Sequence, residues 1–386
     1  MKIGIYKIVS SLHDQSFIDK STNQFILEIE NQLGYKMNFI TQNEFSNYDL
    51  VLTLIQSGGS ENYFKKIYKK LPKPYLLLTY GTNNSLAASL EILSFLHNNS
   101  LEGEILHGSI SYIVNRIRYN YQNLKRKYQR LGVIGKPSDW LISSNVNYSL
   151  VKEKFGIELI NIPLSELIEE YRNIQEDRIE FDPSFSKKEL DKALNLHNSL
   201  INLKDKYRLN GLTLRCFSLL KTLKTTGCLG LSYLNRDGIT ATCEGDIPTM
   251  ISMHICKLIS GSSGFQANPS RIDLEKEEIV FAHCTIPINM ISSPKLMTHY
   301  ESGIGVALRG KLEEREVTIF KLGSDLKSYF VENGTIIENL EEENLCRTQI
   351  KVKMKNLESL LTSPKGNHHV IIYGDYKQQI IDFLEK

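Results

Sequence analysis

The sequence predicts a mixed α/β fold in which parallel strands alternate with helices. Short apolar stretches at residues 2–8, 49–55 and 74–79 have the length and composition of buried strands. Residues 24–33 and 85–97 repeat apolar side chains every three to four positions, which is typical of amphipathic helices. Strands that alternate with helices favour a parallel sheet that is covered on both faces.

The same alternation continues through the second hundred residues. A helix is predicted at 109–127, strands at 130–134 and 157–160, and a further helix at 164–171. The charged stretch 173–186 that follows is interpreted as a linker. This part of the chain is therefore expected to form a second α/β unit.

From about residue 206 the pattern changes to α+β. A helix is predicted at 211–223, and strand-like segments follow at 278–283 and 316–322. Histidine and cysteine are concentrated in this half, which makes it the expected place for chemistry. We divide the chain into three predicted domains, 1–104, 105–205 and 206–386.

Composition narrows the classes of function. The 46 basic residues nearly balance 44 acidic ones, and no basic run is long enough for nucleic-acid binding. No apolar run approaches the roughly 18 residues of a membrane span, and the first residues do not resemble a signal peptide, so a cytoplasmic protein without a membrane partner is expected. The six cysteines contain no CxxC pair and are expected to be reduced.

Nucleotide-binding fingerprints are absent from the sequence. Neither GxGxxG nor the phosphate-binding GxxxxGK[ST] occurs. The glycines at 58 and 59 are interpreted as a tight turn between a strand and a helix.

Two acidic residues lie at the start of a predicted helix. Glu244 and Asp246 precede an apolar-periodic stretch with Pro248 in its first turn and Gly261 after its end, which are helix start and stop signals. Carboxylates at a helix N-terminus can converge on a cation. For Asp246 the simpler alternative is that it caps the helix.

Three histidines complete a candidate metal-binding set. His283 ends an apolar strand-like segment, and the pair His368-His369 precedes another at 370–373. Neighbouring residues of a strand point to opposite faces, so only one of the pair can face a given metal. One carboxylate and two imidazoles would suit a divalent cation. The alternatives are a buried structural histidine at 283 and a solvated loop at 368–369.

The segments 243–246, 281–284 and 366–375 resemble the catalytic region of the L-fucose/L-arabinose isomerase family, and 84–88 and 135–140 resemble its N-terminal segments. The resemblance implies two Rossmann-like α/β domains followed by an α+β catalytic domain of the fucose/arabinose isomerase type. It implies a homo-oligomer, a trimer or hexamer with its sites between subunits. It also implies Mn²⁺ or another divalent cation, and aldose–ketose isomerisation through a cis-enediol(ate).

Site residues follow from the same resemblance. Glu244 matches a glutamate that binds the metal and takes part in proton transfer. His369, with His368 as the alternative, matches the C-terminal metal histidine, and His283 matches an extra histidine ligand of the arabinose branch. Asn268 stands where the fucose branch has an aspartate, and an amide can coordinate a cation or contact substrate but cannot act as a base.

A different carboxylate would then have to complete the acid/base pair. The candidates are Asp246, Asp273 and Glu301. Glu301 belongs to the glycine-containing run 298–305, which is interpreted either as a ligand-contacting loop or as a β-bulge or hairpin bend.

Two arginines are candidates for substrate binding. The guanidinium groups of Arg271 and Arg347 would suit an acidic sugar, including a sulfonated one such as sulfoquinovose. The alternative for each is a salt bridge at the surface or at a subunit interface.

The sequence thus predicts a metal-dependent sugar isomerase. Its expected substrate is a pentose, a 6-deoxyhexose or a 6-substituted hexose. Two alternatives stay open: an epimerase or lyase on the same scaffold, and a sugar-binding protein without catalytic activity.

Overall fold

The structure is a computed structural model that describes residues 2–10, 15–126, 129–173 and 185–385. The chain divides into two compact units, Met1–Lys125 and Arg126–Lys386. Most of the predicted linker at 173–186 lies outside the described residues. None of the helices in the described ranges has both the length and the apolar character that crossing a bilayer requires.

The first unit is a parallel sheet of five strands in the order β2-β1-β3-β4-β5. Its strands are β1 Ile3–Ile8, β2 Met37–Phe39, β3 Leu50–Ile55, β4 Tyr75–Leu78 and β5 Gly103–Leu106. Its helices are α1 Gln15–Leu33, α2 Glu61–Ile67, α3 Ser85–Asn98 and α4 Ile110–Arg126.

Every residue of β3 is buried, because helices cover both faces of this sheet. On one face Leu52 and Leu54 pack with apolar residues of α1 and α4. On the other face Val51 and Ile55 pack with α2 and α3. The alternation of strands and helices predicted for this region is confirmed.

The second unit begins with a parallel sheet of four strands in the order β7-β6-β8-β9. The strands are β6 Gln129–Ile134, β7 Ile157–Ile162, β8 Gly211–Leu214 and β9 Thr240–Cys243. The helices of this region are α5 Tyr148–Phe155, α6 Leu164–Asn173, α7 Lys187–Tyr207, α8 Phe217–Thr222, α9 Cys228–Arg236 and α10 Ile247–Ser260.

The predicted helix at 211–223 is wrong. Its first part is β8, four fully buried residues that pair with β6 and β9, and the helix α8 starts only at Phe217. Gly211 packs against its neighbour strand so closely that an added Cβ would lie 2.6 Å from the Cβ of Thr240. Pairing within the sheet therefore overrides the local helical pattern.

The rest of the second unit is a closed antiparallel barrel in the strand order β10-β11-β16-β15-β14-β17, beside a two-stranded ribbon of β12 and β13. The strands are β10 Phe265–Asp273, β11 Glu278–His283, β12 Ser292–Met297, β13 Ala307–Lys311, β14 Glu316–Leu322, β15 Tyr329–Leu340, β16 Thr348–Met354 and β17 His369–Tyr373. Two helices follow β16 and β17, α11 Glu358–Thr362 and α12 Lys377–Leu384.

The grouping of these elements differs from the predicted domains. The boundary after residue 104 falls inside β5, a strand of the first sheet. The boundary after residue 205 precedes β8 and β9, which nevertheless belong to the second parallel sheet. Both differences arise because strand pairing joins segments that are far apart in the sequence.

Helix α10 connects the second sheet to the barrel. Asp246 caps its N-terminus, because its Oδ1 accepts a hydrogen bond from the Thr249 N–H at 3.0 Å. Gly261 ends it with φ +81°, a left-handed conformation that favours glycine. The predicted helix start and stop signals are confirmed, and they fix where the acidic residues before the helix lie.

Candidate metal centre

Glu244 lies in the sharp turn between β9 and α10. Its φ is +64°, and that of Gly245 is +72°. A Cβ on Gly245 would lie 2.6 Å from the carbonyl oxygen of Lys136, so only glycine fits this turn. The N–H of Ser138 donates to the Glu244 carbonyl oxygen at 2.9 Å. The loop after β6 thereby holds the turn and the carboxylate it carries.

Glu244, His283 and His368 form one buried cluster. A carboxylate oxygen and one ring nitrogen of each histidine all lie within 4.8 Å of one another. The three residues are 8%, 4% and 0% exposed. His283 ends β11 and His368 directly precedes β17, the two strands that flank β10 in the barrel. The fold therefore brings together three residues that are far apart in the chain.

The ring of His368 is oriented by Asp246. Its Nδ1 lies 2.8 Å from Asp246 Oδ2 and must donate, because a carboxylate oxygen accepts. Its Nε2 lies 3.5 Å from Glu244 Oε1 and has no hydrogen-bond partner within the described part of the chain. In His283 the Nδ1 accepts from the Thr285 N–H at 3.3 Å and lies 2.7 Å from Thr285 Oγ1, so Nε2 is the ring nitrogen that Thr285 does not engage.

This donor set fits a divalent cation. One carboxylate oxygen and two imidazole nitrogens are ligands that Mn²⁺, Fe²⁺ and Zn²⁺ accept. The buried Nε2 of His368, which has no hydrogen-bond partner among the described residues, supports this assignment, since a polar atom in the interior is normally satisfied. The Nε2 of His369 is likewise unpartnered, but that residue is not part of the cluster. Among the described residues, no other group of three His, Cys, Asp or Glu side chains meets the same distance criterion.

The pKa of each group in the cluster is shifted by burial and by its neighbours. Burial alone would raise the pKa of Glu244, but the adjacent ring of His368, together with His283 and the hydrogen bond from Trp140, lowers it to about 2. Burial would lower the pKa of His368, but the carboxylates of Asp246 and Glu244 raise it to about 9. Burial, with the nearby His368, lowers the pKa of His283 to about 3. The cluster therefore holds an ionised carboxylate beside imidazoles.

Trp140 orients the carboxylate of Glu244. Its indole N–H donates to Glu244 Oε2 at 2.7 Å, and its ring packs edge-on against Phe217 at 4.8 Å. One oxygen of Glu244 is thus held by the indole, while Oε1 faces His368.

Replacing Trp140 with phenylalanine should raise the dissociation constant for Mn²⁺ about tenfold, because ligands that lose an outer hydrogen bond typically lose 10- to 100-fold in metal affinity. The aromatic packing on Phe217 can be kept by the new ring. Mn²⁺ titration followed by electron paramagnetic resonance measures the change. An unchanged dissociation constant would mean that the indole hydrogen bond does not orient Glu244.

Asp246 also forms a buried ion pair. Its carboxylate is 0% exposed, and the Nζ of Lys321, whose side chain is 1% exposed, lies 3.2 Å from Oδ2. Burial opposes its charge, but Lys321 and His368 hold the pKa of Asp246 well below its usual range. Asp246 thus caps α10, as one of its two predicted roles has it, and the same carboxylate contacts a histidine of the cluster.

His369 lies outside the cluster, although the family resemblance favoured it over His368 as the metal ligand. Its ring packs between Phe281 and Phe330 at centroid distances of 6.1 and 5.5 Å. Its Nδ1 donates to the Asn367 carbonyl oxygen at 3.1 Å. Burial, with the charge of Lys321, lowers its pKa to about 3.

Asn268 lies on the strand between the two histidine-bearing strands. Ala267 pairs with His369, so continuing this antiparallel ladder by one residue sets Asn268 opposite His368. Its Oδ1 is buried and has no hydrogen-bond partner in the described ranges. Gln266, on the same face of β10, accepts from the Cys243 N–H at 2.7 Å, so this face is directed towards Glu244.

The two predicted substrate-binding arginines each contact other residues of the chain. Arg271 is 56% exposed and makes two hydrogen bonds to Glu342, at 2.6 and 3.2 Å, which is the surface ion pair held as its alternative. Arg347 donates from Nε to the Thr298 carbonyl oxygen at 2.8 Å. Its guanidinium lies 5.7 Å from the centroid of the Tyr300 ring.

The two remaining candidate carboxylates, Asp273 and Glu301, have different surroundings. Asp273 accepts a hydrogen bond from the Lys276 N–H at 3.0 Å in an exposed turn, and this bond lowers its pKa. Glu301 is exposed, and desolvation together with the charge of Glu244 raises its pKa.

Sequence reasoning missed two contributors to the cluster. Trp140 is the sole tryptophan of the sequence and was noted only in a segment of the family resemblance. Lys321 is the one charged residue of the buried stretch 317–322 of β14, and a lysine at such a position indicates a buried partner.

The fold and this cluster define a mixed α/β protein with parallel sheets and a buried carboxylate–imidazole site beside a β-barrel.

No protein-family model matches the chain. It is similar to the sulfoquinovose isomerases of Priestia aryabhattai and Priestia megaterium, with 24% identity to each over 277 residues, or 66% of this chain and 61% of those proteins. It is 20% identical over 323 residues, 78% of this chain, to 72% of the sulfoquinovose isomerase of Alkalicoccus urumqiensis. The chain thus spans less than two thirds of the length of the two Priestia proteins.

Proposed function

We propose that this protein is an aldose–ketose isomerase that acts on a sulfonated hexose, with sulfoquinovose as the first candidate. The observation that carries the proposal is the Glu244, His283 and His368 cluster, in a chain similar to proteins named sulfoquinovose isomerase. Interconversion of an aldose and a ketose needs a carbonyl to be polarised and a proton to move between neighbouring carbons. A buried site with carboxylate and imidazole donors supplies groups of the right kind.

We also propose that the protein is related to the L-fucose/L-arabinose isomerases. The two parallel sheets and the following barrel are compatible with two Rossmann-like domains and a catalytic domain. Assembly into trimers or hexamers and a cytoplasmic location are further parts of this proposal.

Glu244, His283 and His368 would hold the divalent cation, with Mn²⁺ as the first candidate. When bound, such a cation supplies Lewis-acid polarisation of the sugar carbonyl. The side chain of Asn268 would add an oxygen ligand or contact a sugar hydroxyl, which its buried Oδ1 without a partner among the described residues supports.

Glu244 and Glu301 are the carboxylates proposed to move the proton. Glu244 is ionised, and its Oε1 is not occupied by the indole of Trp140. Asp246 is committed to Lys321, and Asp273 lies in an exposed turn. The raised pKa of Glu301 suits a group that alternately gives and takes a proton on the way through a cis-enediol(ate).

The proposal predicts that metal removal abolishes turnover. Metal-stripped protein would be incubated with sulfoquinovose, glucose 6-phosphate, L-fucose and L-arabinose, with and without Mn²⁺, and the ketose measured by NMR. We expect conversion of sulfoquinovose only when Mn²⁺ is present, and solvent deuterium at C1 or C2 of the product when the proton exchanges.

Three other results would each be informative. Full turnover in the presence of a chelator would contradict the metal requirement. Turnover of the neutral sugars alone would contradict the sulfonated substrate. Thermal stabilisation by sulfoquinovose without conversion would favour the sugar-binding alternative.

A further inference from the structure

Lys321 is a buried charged residue directly behind the candidate metal centre. Its Nζ lies 3.2 and 3.3 Å from the two carboxylate oxygens of Asp246 and donates to Thr249 Oγ1 at 2.5 Å. Removing two charges from water is costly, so a buried ion pair persists only with good geometry and additional hydrogen bonds. Asp246 has these bonds, from the Thr249 N–H and from the ring of His368.

Capping of α10 does not account for this lysine. The Thr249 N–H already bonds Asp246, and an anionic cap is favoured by the helix dipole. A cation beside the helix N-terminus is disfavoured by the same dipole. The ammonium group of Lys321 must therefore be explained by its other contact, the carboxylate of Asp246.

One oxygen of Asp246 connects the lysine to the cluster. Oδ2 accepts from the Lys321 ammonium at 3.2 Å and from the His368 Nδ1–H at 2.8 Å. A carboxylate that accepts the Nδ1–H of a histidine fixes both the ring orientation and the tautomer, and leaves Nε2 as the ligand nitrogen. That nitrogen is the one that lies 3.5 Å from Glu244.

We propose that Lys321 is a positioning residue of this centre, which fixes Asp246 and, through it, directs the Nε2 of His368 towards the cation position. The inference rests on the metal-binding part of the proposed function. The ammonium of Lys321 contacts the carboxylate of Asp246, which in turn contacts the imidazole of His368. Loss of the lysine leaves Asp246 without a fixed partner, so the ring of His368 is less well oriented.

The test compares Mn²⁺ binding by the full-length, metal-stripped protein and its variants, by electron paramagnetic resonance without any sugar. Lys321→Met should raise the dissociation constant for Mn²⁺ about 10- to 100-fold, the usual effect of removing an outer-shell partner. Lys353→Met, the same substitution at an exposed lysine of β16, should leave the dissociation constant for Mn²⁺ unchanged. Val352→Ala, in the barrel core, should lower the melting temperature and not the Mn²⁺ affinity.

A second comparison separates positioning from stabilisation. If Lys321 acts through Asp246, the double variant Asp246→Asn/Lys321→Met should bind Mn²⁺ as weakly as Asp246→Asn alone, because the two effects are not independent. The double variant has no uncompensated buried charge, and in Asp246→Asn the buried lysine can lose its proton, so this comparison remains decisive if Lys321→Met alone does not fold.

Two results overturn the inference while the proposed function stands: wild-type affinity in Lys321→Met, or effects of the two substitutions that multiply. If the unaltered protein itself binds no Mn²⁺, the metal-binding part of the proposed function is overturned together with the inference.

Discussion

Replacing Glu244 with glutamine is expected to lower the rate of aldose–ketose conversion about 10³-fold or more. The change keeps the shape of the side chain and the hydrogen-bond acceptor for Trp140, but it removes the negative charge of a 8% exposed carboxylate. A group that moves a proton typically contributes about 10²- to 10⁴-fold, and an amide cannot replace it. The loss of an anionic ligand should weaken Mn²⁺ binding as well.

This result is measured as kcat and KM for the best sugar of the panel, at saturating Mn²⁺. Glu343→Gln, a substitution of an exposed glutamate, serves as the matched control and should be neutral. Because Mn²⁺ is saturating, a fall in kcat reports the chemical step more than metal loading. Full activity of Glu244→Gln would exclude this residue from the mechanism.

The second large effect is expected at His368, in contrast to its neighbour. His368→Gln should raise the dissociation constant for Mn²⁺ by at least about 100-fold, because it removes a proposed ligand nitrogen and breaks the contact with Asp246. His369→Gln should keep Mn²⁺ binding within a few-fold, because that ring packs between Phe281 and Phe330 and lies outside the cluster.

Both variants should be compared at equal fractions of folded protein. His369→Gln replaces a fully packed side chain and is expected to lower the melting temperature, so its folding is checked by circular dichroism. The reverse pattern, with Mn²⁺ lost in the His369 variant and retained in the His368 variant, would restore the order suggested by the family resemblance.

Local patterns in the sequence account for much of the fold. The N-cap residue, the proline in the first turn and the final glycine located α10 correctly, because these signals act within a few residues of the helix ends. Residues 211–214 were misassigned because a four-residue strand has too few positions to show a period, and its identity comes from pairing with β6 and β9.

The types of residue in the site could be predicted from the sequence better than the contacts between them. Strand alternation established that only one residue of the histidine pair could face a metal. Which one depends on the barrel register, in which Phe265 pairs with Ile371 and Ala267 with His369. No short-range pattern carries that register.

The ion pair behind the cluster was missed for the same reason. Lys321 and Asp246 are 75 positions apart, and only the packing of α10 on β14 brings them together. Asn268 stands where the fucose branch has an aspartate. The second carboxylate that we propose, Glu301, therefore comes from a different segment of the chain.

The most direct measurement is a crystal structure of the protein grown with Mn²⁺, with diffraction data collected at the manganese absorption edge. We expect one strong anomalous peak per chain within about 2.5 Å of a Glu244 oxygen and of ring nitrogens of His283 and His368. A peak bound to other residues, or no peak at a concentration that supports turnover, would contradict this expectation.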